Sequence, residues 1–379
     1  MALKSSRRAM LLGAASTPLV AAACAREAEE IGAFPAAFSS TELIGPVAGE
    51  ARLHSNENPY GPAPSAIKGM EYAAKKGAYY ADDAVKTLRS MIAERHGLTS
   101  DYITISHGSA EALAAIAMMY GQKGSILGPR LFFDAAPIYA RYMGVTEIAR
   151  APMNADLSVD LASLESNVSE ATGCVFLCNP NNPTGILEAP AALKAAVTRM
   201  AAKTTVVVDE AYMELTNGGE ANSCIDLVSA GQNVLVARTF SKIYGMAGIR
   251  VGYVIAAPEV TKKLRFSKMS WLSGVSIAAA VGCYNDEAFL AMSRAKVLEG
   301  REMVLDTFKA LGVEAKPSQT NFVFFKTGQE ANTVKEALAK SDINIRGQYM
   351  DYAAWNRVSM GRLEDVERFC KALPKVLGV

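Results

Sequence analysis

Four short stretches hold residue types that could do chemistry together. Lys242 closes the run Arg238-Thr239-Phe240-Ser241-Lys242, with Arg250 a little downstream. A lysine amine is a nucleophile once it loses its proton, while the Thr239 and Ser241 hydroxyls and the Arg250 guanidinium are donors suited to a phosphate. Taken singly, Lys242 would be an ordinary solvated charge. Asp209 ends the apolar run Val206-Val207-Val208 and is followed by Glu210-Ala211-Tyr212. A carboxylate at the end of a buried strand needs a cation or a donor as partner. A magnesium site of a nucleotide hydrolase is one alternative for it, but the chain has no Gly-x-x-x-x-Gly-Lys-Ser/Thr loop to cradle the phosphates. Asn179-Pro180-Asn181-Asn182-Pro183-Thr184-Gly185 reads as a rigid turn that could aim the Asn182 amide into a pocket. In His107-Gly108-Ser109-Ala110-Glu111, Gly108 permits a tight turn that leaves the Ser109 and Ala110 amides at a helix N-terminus, a natural phosphate site. The same letters also make an ordinary helix start.

These stretches must be positioned by regular elements, and the pattern supplies them. Short apolar runs recur at Ile103 and Ile105, Ile126-Leu127, Val175 to Leu177, Val206 to Val208, Val234 to Val236 and Val251 to Ile255. Each suits a strand buried on both faces. Helical patterns such as Glu111 to Tyr120 and Ala189 to Ala202 alternate with them, which predicts an α/β domain on a mostly parallel sheet. Ligands of such sheets bind beyond the strand ends, where the four stretches fall. After Pro258 the pattern changes. A long helix is expected over Glu287 to Leu311, with strands at Asn321 to Phe325, Ile343 to Ile345 and Arg357 to Ser359, and a C-terminal helix over Leu363 to Leu377. That is a smaller α+β unit.

Composition narrows the function. Among 379 residues, 39 basic and 38 acidic side chains leave a net charge of +1, so no basic field for nucleic acid exists. With 50% hydrophobic and 20% charged residues, the chain is that of an ordinary globular protein. Three histidines and six scattered cysteines predict neither a metal centre nor a disulfide framework. At the N-terminus, Arg7-Arg8 precede an uncharged Leu- and Ala-rich stretch from Ala9 to Ala25, the form of a twin-arginine export signal. That stretch is shorter than the roughly 20 residues a spanning helix needs, so cleavage after Ala23 or Ala25 is expected rather than a membrane anchor. Lipidation of Cys24 is the lesser alternative, because Ala21 stands where that pattern has Leu.

In order, Asn182-Pro183-Thr184-Gly185, Asp209-x-x-Tyr212 and Ser241-Lys242 with Arg250 resemble the fold type I pyridoxal-phosphate aminotransferases of class I/II. Asn56-Glu57-Asn58-Pro59-Tyr60-Gly61 is similar to a motif of the histidinol-phosphate aminotransferase-like group, and the resemblance spans about Arg52 to Leu377. It implies pyridoxal 5'-phosphate as cofactor, joined through its aldehyde to Lys242, with Asp209 against the ring nitrogen. Tyr212 and Asn182 would bond the ring hydroxyl oxygen, and Ser109, Ala110, Thr239, Ser241 and Arg250 would hold the phosphate. Phe133 stands where the family has a stacking tyrosine, with plain core packing as its alternative. Tyr80 resembles the tyrosine that reaches the partner subunit's cofactor, which implies a homodimer with shared sites. Arg357 resembles the arginine that forks onto a substrate carboxylate or phosphate, and Arg346 would serve a second anionic group. The implied reaction passes an amino group between an amino acid or related amine and a 2-oxo acid. A decarboxylase or lyase of the same fold would use the same lysine and aspartate, and an exported solute-binding protein is the non-enzymatic alternative. The expected organisation is an export signal at 1–25 leading to the periplasm, an N-terminal arm at 26–60 packing with the small domain, a large cofactor-binding domain at 61–257 and a small domain at 258–379.

Overall fold

The computed structural model describes residues 44–268 and 270–379. The expected export signal at 1–25 lies outside the described residues. From Glu50 onward the chain forms one unit with three sheets. The largest has seven strands: β2 (Ile103–Ser106), β3 (Ser125–Pro129), β4 (Ile148–Ala151), β5 (Thr172–Cys178), β6 (Thr205–Asp209), β7 (Val234–Thr239) and β8 (Gly252–Ile255). Their order is β2-β8-β7-β6-β5-β3-β4. Strands β3 to β7 run parallel, and β8 is antiparallel to both its neighbours. The mostly parallel sheet read from the apolar runs is present.

Alternate residues of these strands feed opposite faces, as the pleat requires. Val206, Val208, Val234 and Val236 join the core on one side, while Val207, Leu235, Ala237 and Phe176 join a second core on the other. Helix α3 (Gly108–Gly121) supplies that second core with Leu113, Ile116 and Ala117. Helices α1 (Pro64–Ala74) and α2 (Asp82–Arg95) lie on the chain before β2. Beyond position 258, α8 (Pro258–Phe266) still packs on β2, and α9 (Gly274–Cys283) packs on α1 and α2. The chain leaves the large sheet along α10 (Glu287–Leu311), which has the predicted limits. Its N-terminus is capped by the Asp286 carboxylate, which accepts the Phe289 N–H at 3.1 Å.

The small unit is an antiparallel sheet, β12-β10-β9, made of β9 (Glu314–Ala315), β10 (Phe322–Lys326) and β12 (Trp355–Ser359), backed by α10 and α12 (Leu363–Leu377). The predicted strand β11 (Ile343–Ile345) does not join it. It pairs in parallel with β1 (Ala51–Leu53), so the end of the N-terminal arm is stitched to the small unit. Residues 54–61 then run from that pairing across the ends of the large sheet's strands.

Candidate active site

Beyond the C-terminal ends of β5, β6 and β7 lies a cavity of about 340 Å3. Ser109, Ala110, Phe133, Asn182, Asp209 and Tyr212 line it from the large sheet's loops, with Thr239, Ser241, Lys242 and Arg250 beside them and Arg357 facing them from β12. Residues more than a hundred positions apart therefore share one chamber.

The cavity has three chemical ends. At the first, Ser109 and Ala110 begin α3 while Arg250 donates from Nη1 to Ser241 Oγ at 3.3 Å and Thr239 Oγ1 donates to Ser241 Oγ at 2.9 Å. Gly108 has φ +72°, and a Cβ there would lie 2.2 Å from Arg250 Nη2, so only glycine lets the guanidinium close on the helix start. The Glu111 carboxylate accepts the His107 N–H at 2.8 Å, so the helix-start and cavity-lining readings of this stretch hold together.

At the second end is Asp209. The carboxylate accepts the Ala211 N–H at 3.2 Å and is bonded to no cation among the described residues. Burial raises its pKa to about 7, against the pull of that N–H and of Lys242. Lys242 Nζ donates to the Asn56 carbonyl at 3.2 Å and sits 5.5 Å from the centre of the Tyr212 ring. Burial, with Arg357 nearby, lowers its amine to about 8, so a substantial neutral fraction exists near physiological pH.

At the third end, Arg357 donates from Nη1 to Asn182 Oδ1 and from Nη2 to the His54 carbonyl, both at 2.7 Å. Its buried Nε has no hydrogen-bond partner among the described residues. An unpaired guanidinium donor beside a cavity is a place for an anion.

Two expected residues stand elsewhere. Arg346 lines a neighbouring cleft with Lys335 and His54, not this cavity, and its guanidinium lies 5.3 Å from the Tyr349 ring. Its backbone pairs with that of Arg357 and both guanidinium groups lie over the Tyr349 ring, yet only Arg357 lines the chamber. Tyr80 is 78% exposed and lies against Trp271 in a separate surface cleft. Phe133 is 37% exposed and lines the cavity, so plain core packing does not describe it. Sequence reasoning gave no role to Asn56 and Glu57, which also line the chamber. The signal was the Asn-Glu-Asn-Pro run itself, quoted only as a likeness.

The donor set fits pyridoxal phosphate. A buried carboxyl without a cation meets the need of a protonated ring nitrogen, the Gly108 notch admits donors for a phosphate, and Lys242 presents a partly neutral amine between them. Fold and cavity thus define a fold type I pyridoxal-phosphate enzyme. The chain belongs to the class I and II aminotransferases, whose family model matches residues 50–373, and it carries out pyridoxal-phosphate-dependent transamination. It is 35% identical to the histidinol-phosphate aminotransferase of Symbiobacterium thermophilum, over 86% of this chain and 90% of that protein. It is 32% identical to histidinol-phosphate aminotransferase 2 of Pseudomonas aeruginosa, over 92% of each. Among solved structures, the histidinol-phosphate aminotransferase of Sinorhizobium meliloti in complex with pyridoxal-5'-phosphate superposes with a TM-score of 0.81 at 26% identity, over 92% of this chain and 98% of that one. The solute-binding and lyase alternatives are thereby set aside.

Proposed function

We propose that Lys242 is the residue that binds the cofactor covalently and moves the proton, that Asp209 holds the ring nitrogen, and that Arg357 binds the anionic group of the amino donor. The observation that carries this reading is two groups lining one cavity: a buried carboxyl raised to about 7 and bonded to no cation among the described residues, and an amine lowered to about 8. Ser109, Ala110, Thr239, Ser241 and Arg250 hold the phosphate. When bound, the cofactor supplies a sink for the electron pair left on the donor carbon. Lys242 Nζ takes the proton from that carbon and keeps it for redelivery, which a partly neutral amine can do without prior deprotonation by water. Arg357, fixed by Asn182 and His54, turns the donor so that the reacting hydrogen faces Nζ. Tyr212 and Asn182 bond the ring oxygen, and Phe133 covers the ring.

Only one of the two expected arginines faces the chamber, which favours a donor with a single anionic group there. Histidinol phosphate, named for the relatives, is one such donor, and an α-amino acid is another. A panel of amino donors with a 2-oxo acid acceptor, read by the change in the cofactor's absorption, tests the reading. The expected outcome is turnover with singly anionic donors and weaker turnover with dicarboxylic ones. No spectral response to any primary amine would overturn the residue roles.

In this reading the segment 61–257 carries the cofactor groups, 258–379 brings Arg357, and the arm at 26–60 brings Asn56. Two larger-scale features belong to the same proposal. Tyr80 serves the site of a second copy in a homodimer, and its exposure beside Trp271 supports this. Arg7 and Arg8 direct export of folded, cofactor-loaded enzyme to the periplasm, and the family match beginning at residue 50 supports a separate N-terminal segment. A site assembled from residues as distant as Ser109 and Arg357 exists only in the folded chain, so a route for folded proteins suits it. Replacing Arg7 and Arg8 together by lysine is expected to leave active enzyme in the cytoplasm. Equal periplasmic activity from that variant would overturn the export reading.

A further inference from the structure

Tyr212 has one hydroxyl proton and two lone pairs. Two amides face those lone pairs: Asn56 Nδ2 donates to Tyr212 Oη at 3.1 Å, and Asn182 Nδ2 lies at 3.5 Å, the long end of the range. Each amide is turned by a side chain of β12. Arg357 is donor-only, so its bond to Asn182 Oδ1 leaves that amide's NH2 toward Tyr212. The second arm runs through Ser359. Its Oγ accepts the Asn56 backbone N–H at 3.0 Å and lies 2.6 Å from Asn56 Oδ1. That separation suits O–H···O and is shorter than an N–H···O bond, so the serine hydrogen goes to Oδ1 and the Asn56 NH2 is left for Tyr212. Asn56 is 2% exposed and holds φ +54°, a left-handed conformation that asparagine tolerates better than most residues.

We propose that Asn56, oriented by Ser359, is a positioning residue that makes Tyr212 donate its hydroxyl proton into the cavity. With both lone pairs engaged, Tyr212 is left as a donor, and among the described residues it donates to none. A serine of the small domain thus decides the polarity of a hydroxyl on the large domain, across 303 positions of sequence between Ser359 and Asn56. The inference rests on the reading above, in which Tyr212 faces the ring oxygen of the bound cofactor. A proton donated by Tyr212 would favour the ionised form of that oxygen, so the visible absorption of the cofactor-loaded protein would change form at lower pH. If Asn56 is free to turn over, its oxygen can take the Tyr212 proton and the midpoint rises.

The test is a pH titration of the visible absorption of purified holoenzyme, with folding checked by thermal melting. Ser359→Ala is expected to raise the midpoint by roughly half to one pH unit. Ser359→Thr, which keeps the hydroxyl, is expected to retain the wild-type midpoint. In an Asn56→Ala background the Ser359→Ala change is expected to cause no further shift, because the serine acts through the amide. An unmoved midpoint in Ser359→Ala, or a shift that persists without Asn56, would overturn the inference and leave the site reading standing. Absence of a visible band dependent on Lys242 would overturn both.

Discussion

Asp209 and Glu210 are neighbours on the chain, both buried at the end of β6, and they are treated in opposite ways. Glu210 points to one side and is saturated. Its carboxylate takes the Arg238 guanidinium at 2.7 Å, the Ser223 hydroxyl at 2.7 Å and the Cys224 N–H at 2.7 Å. Arg238 in turn reaches Glu220 through two bonds of 3.0 Å and Glu214 at 3.3 Å. Asp209 points to the other side and has one backbone N–H. A buried charge whose partners are all supplied by the chain holds elements together, whereas one left short of partners is held for something the chain does not contain. The Glu210–Arg238 pair ties the ends of β6 and β7, from which Asp209 and Thr239 project into the cavity. The saturated cluster is thus the frame of the unsaturated one.

The comparison breaks most sharply at Lys242. Lys242→Ala is expected to lower transamination by roughly ten-thousandfold, because covalent capture and proton transfer are lost together. Its melting temperature should change little, since the amine's one hydrogen bond among the described residues is the 3.2 Å bond to the Asn56 carbonyl. Steady-state rates alongside calorimetry check this, and substantial residual turnover would move the catalytic role elsewhere.

Arg238→Ala should do the reverse. It leaves Glu210 buried without its cation and is expected to cost about 3–5 kcal/mol of unfolding free energy in urea titrations. Any activity lost should follow from a weakened frame, and a variant as stable as the parent would show that the cluster does not carry the strand ends.

Asp209→Asn sharpens the contrast through pH. In the cofactor-free protein the Asp209 carboxyl is raised from its ordinary 3.8 to about 7. Between those values the unfolded chain has released the proton and the folded chain keeps it, so stability falls as pH rises from about 4 to 7. The asparagine variant lacks this slope and should be more stable above pH 7, on the order of 2–4 kcal/mol, while its turnover drops by roughly a hundredfold. An unchanged slope in cofactor-free denaturation would mean that Asp209 already has a partner and that the two carboxylates do not differ as described.

Much of this was legible before any coordinates. Strands β5, β6 and β7 showed as continuous apolar runs because both of their faces are covered. β4 did not, since Ile148 and Arg150 are only half-buried and the Arg150 guanidinium is engaged with Asp134 and the Arg130 carbonyl. β11 was legible as a strand but not its pairing with β1, for a three-residue apolar run does not specify a partner. Arg346 and Arg357 look alike in the sequence, and only the tertiary structure separates them: Arg357 lines the chamber and Arg346 the cleft beside it.

Sequence alone determined the chemistry on offer: a lysine, an aspartate, an asparagine turn and a glycine-opened helix start, each at the end of an apolar run, because local composition sets where strands stop and turns begin. The tertiary structure alone decided which charges were to be satisfied. Glu210 and Asp209 differ by one position, so the pleat sends their side chains to opposite sides: Ser223 and Arg238 wait for Glu210, while Asp209 faces the cavity that Lys242 and Arg357 also line. Partners so far apart along the chain leave no local pattern, since burial and hydrogen bonding are settled by what folding brings near.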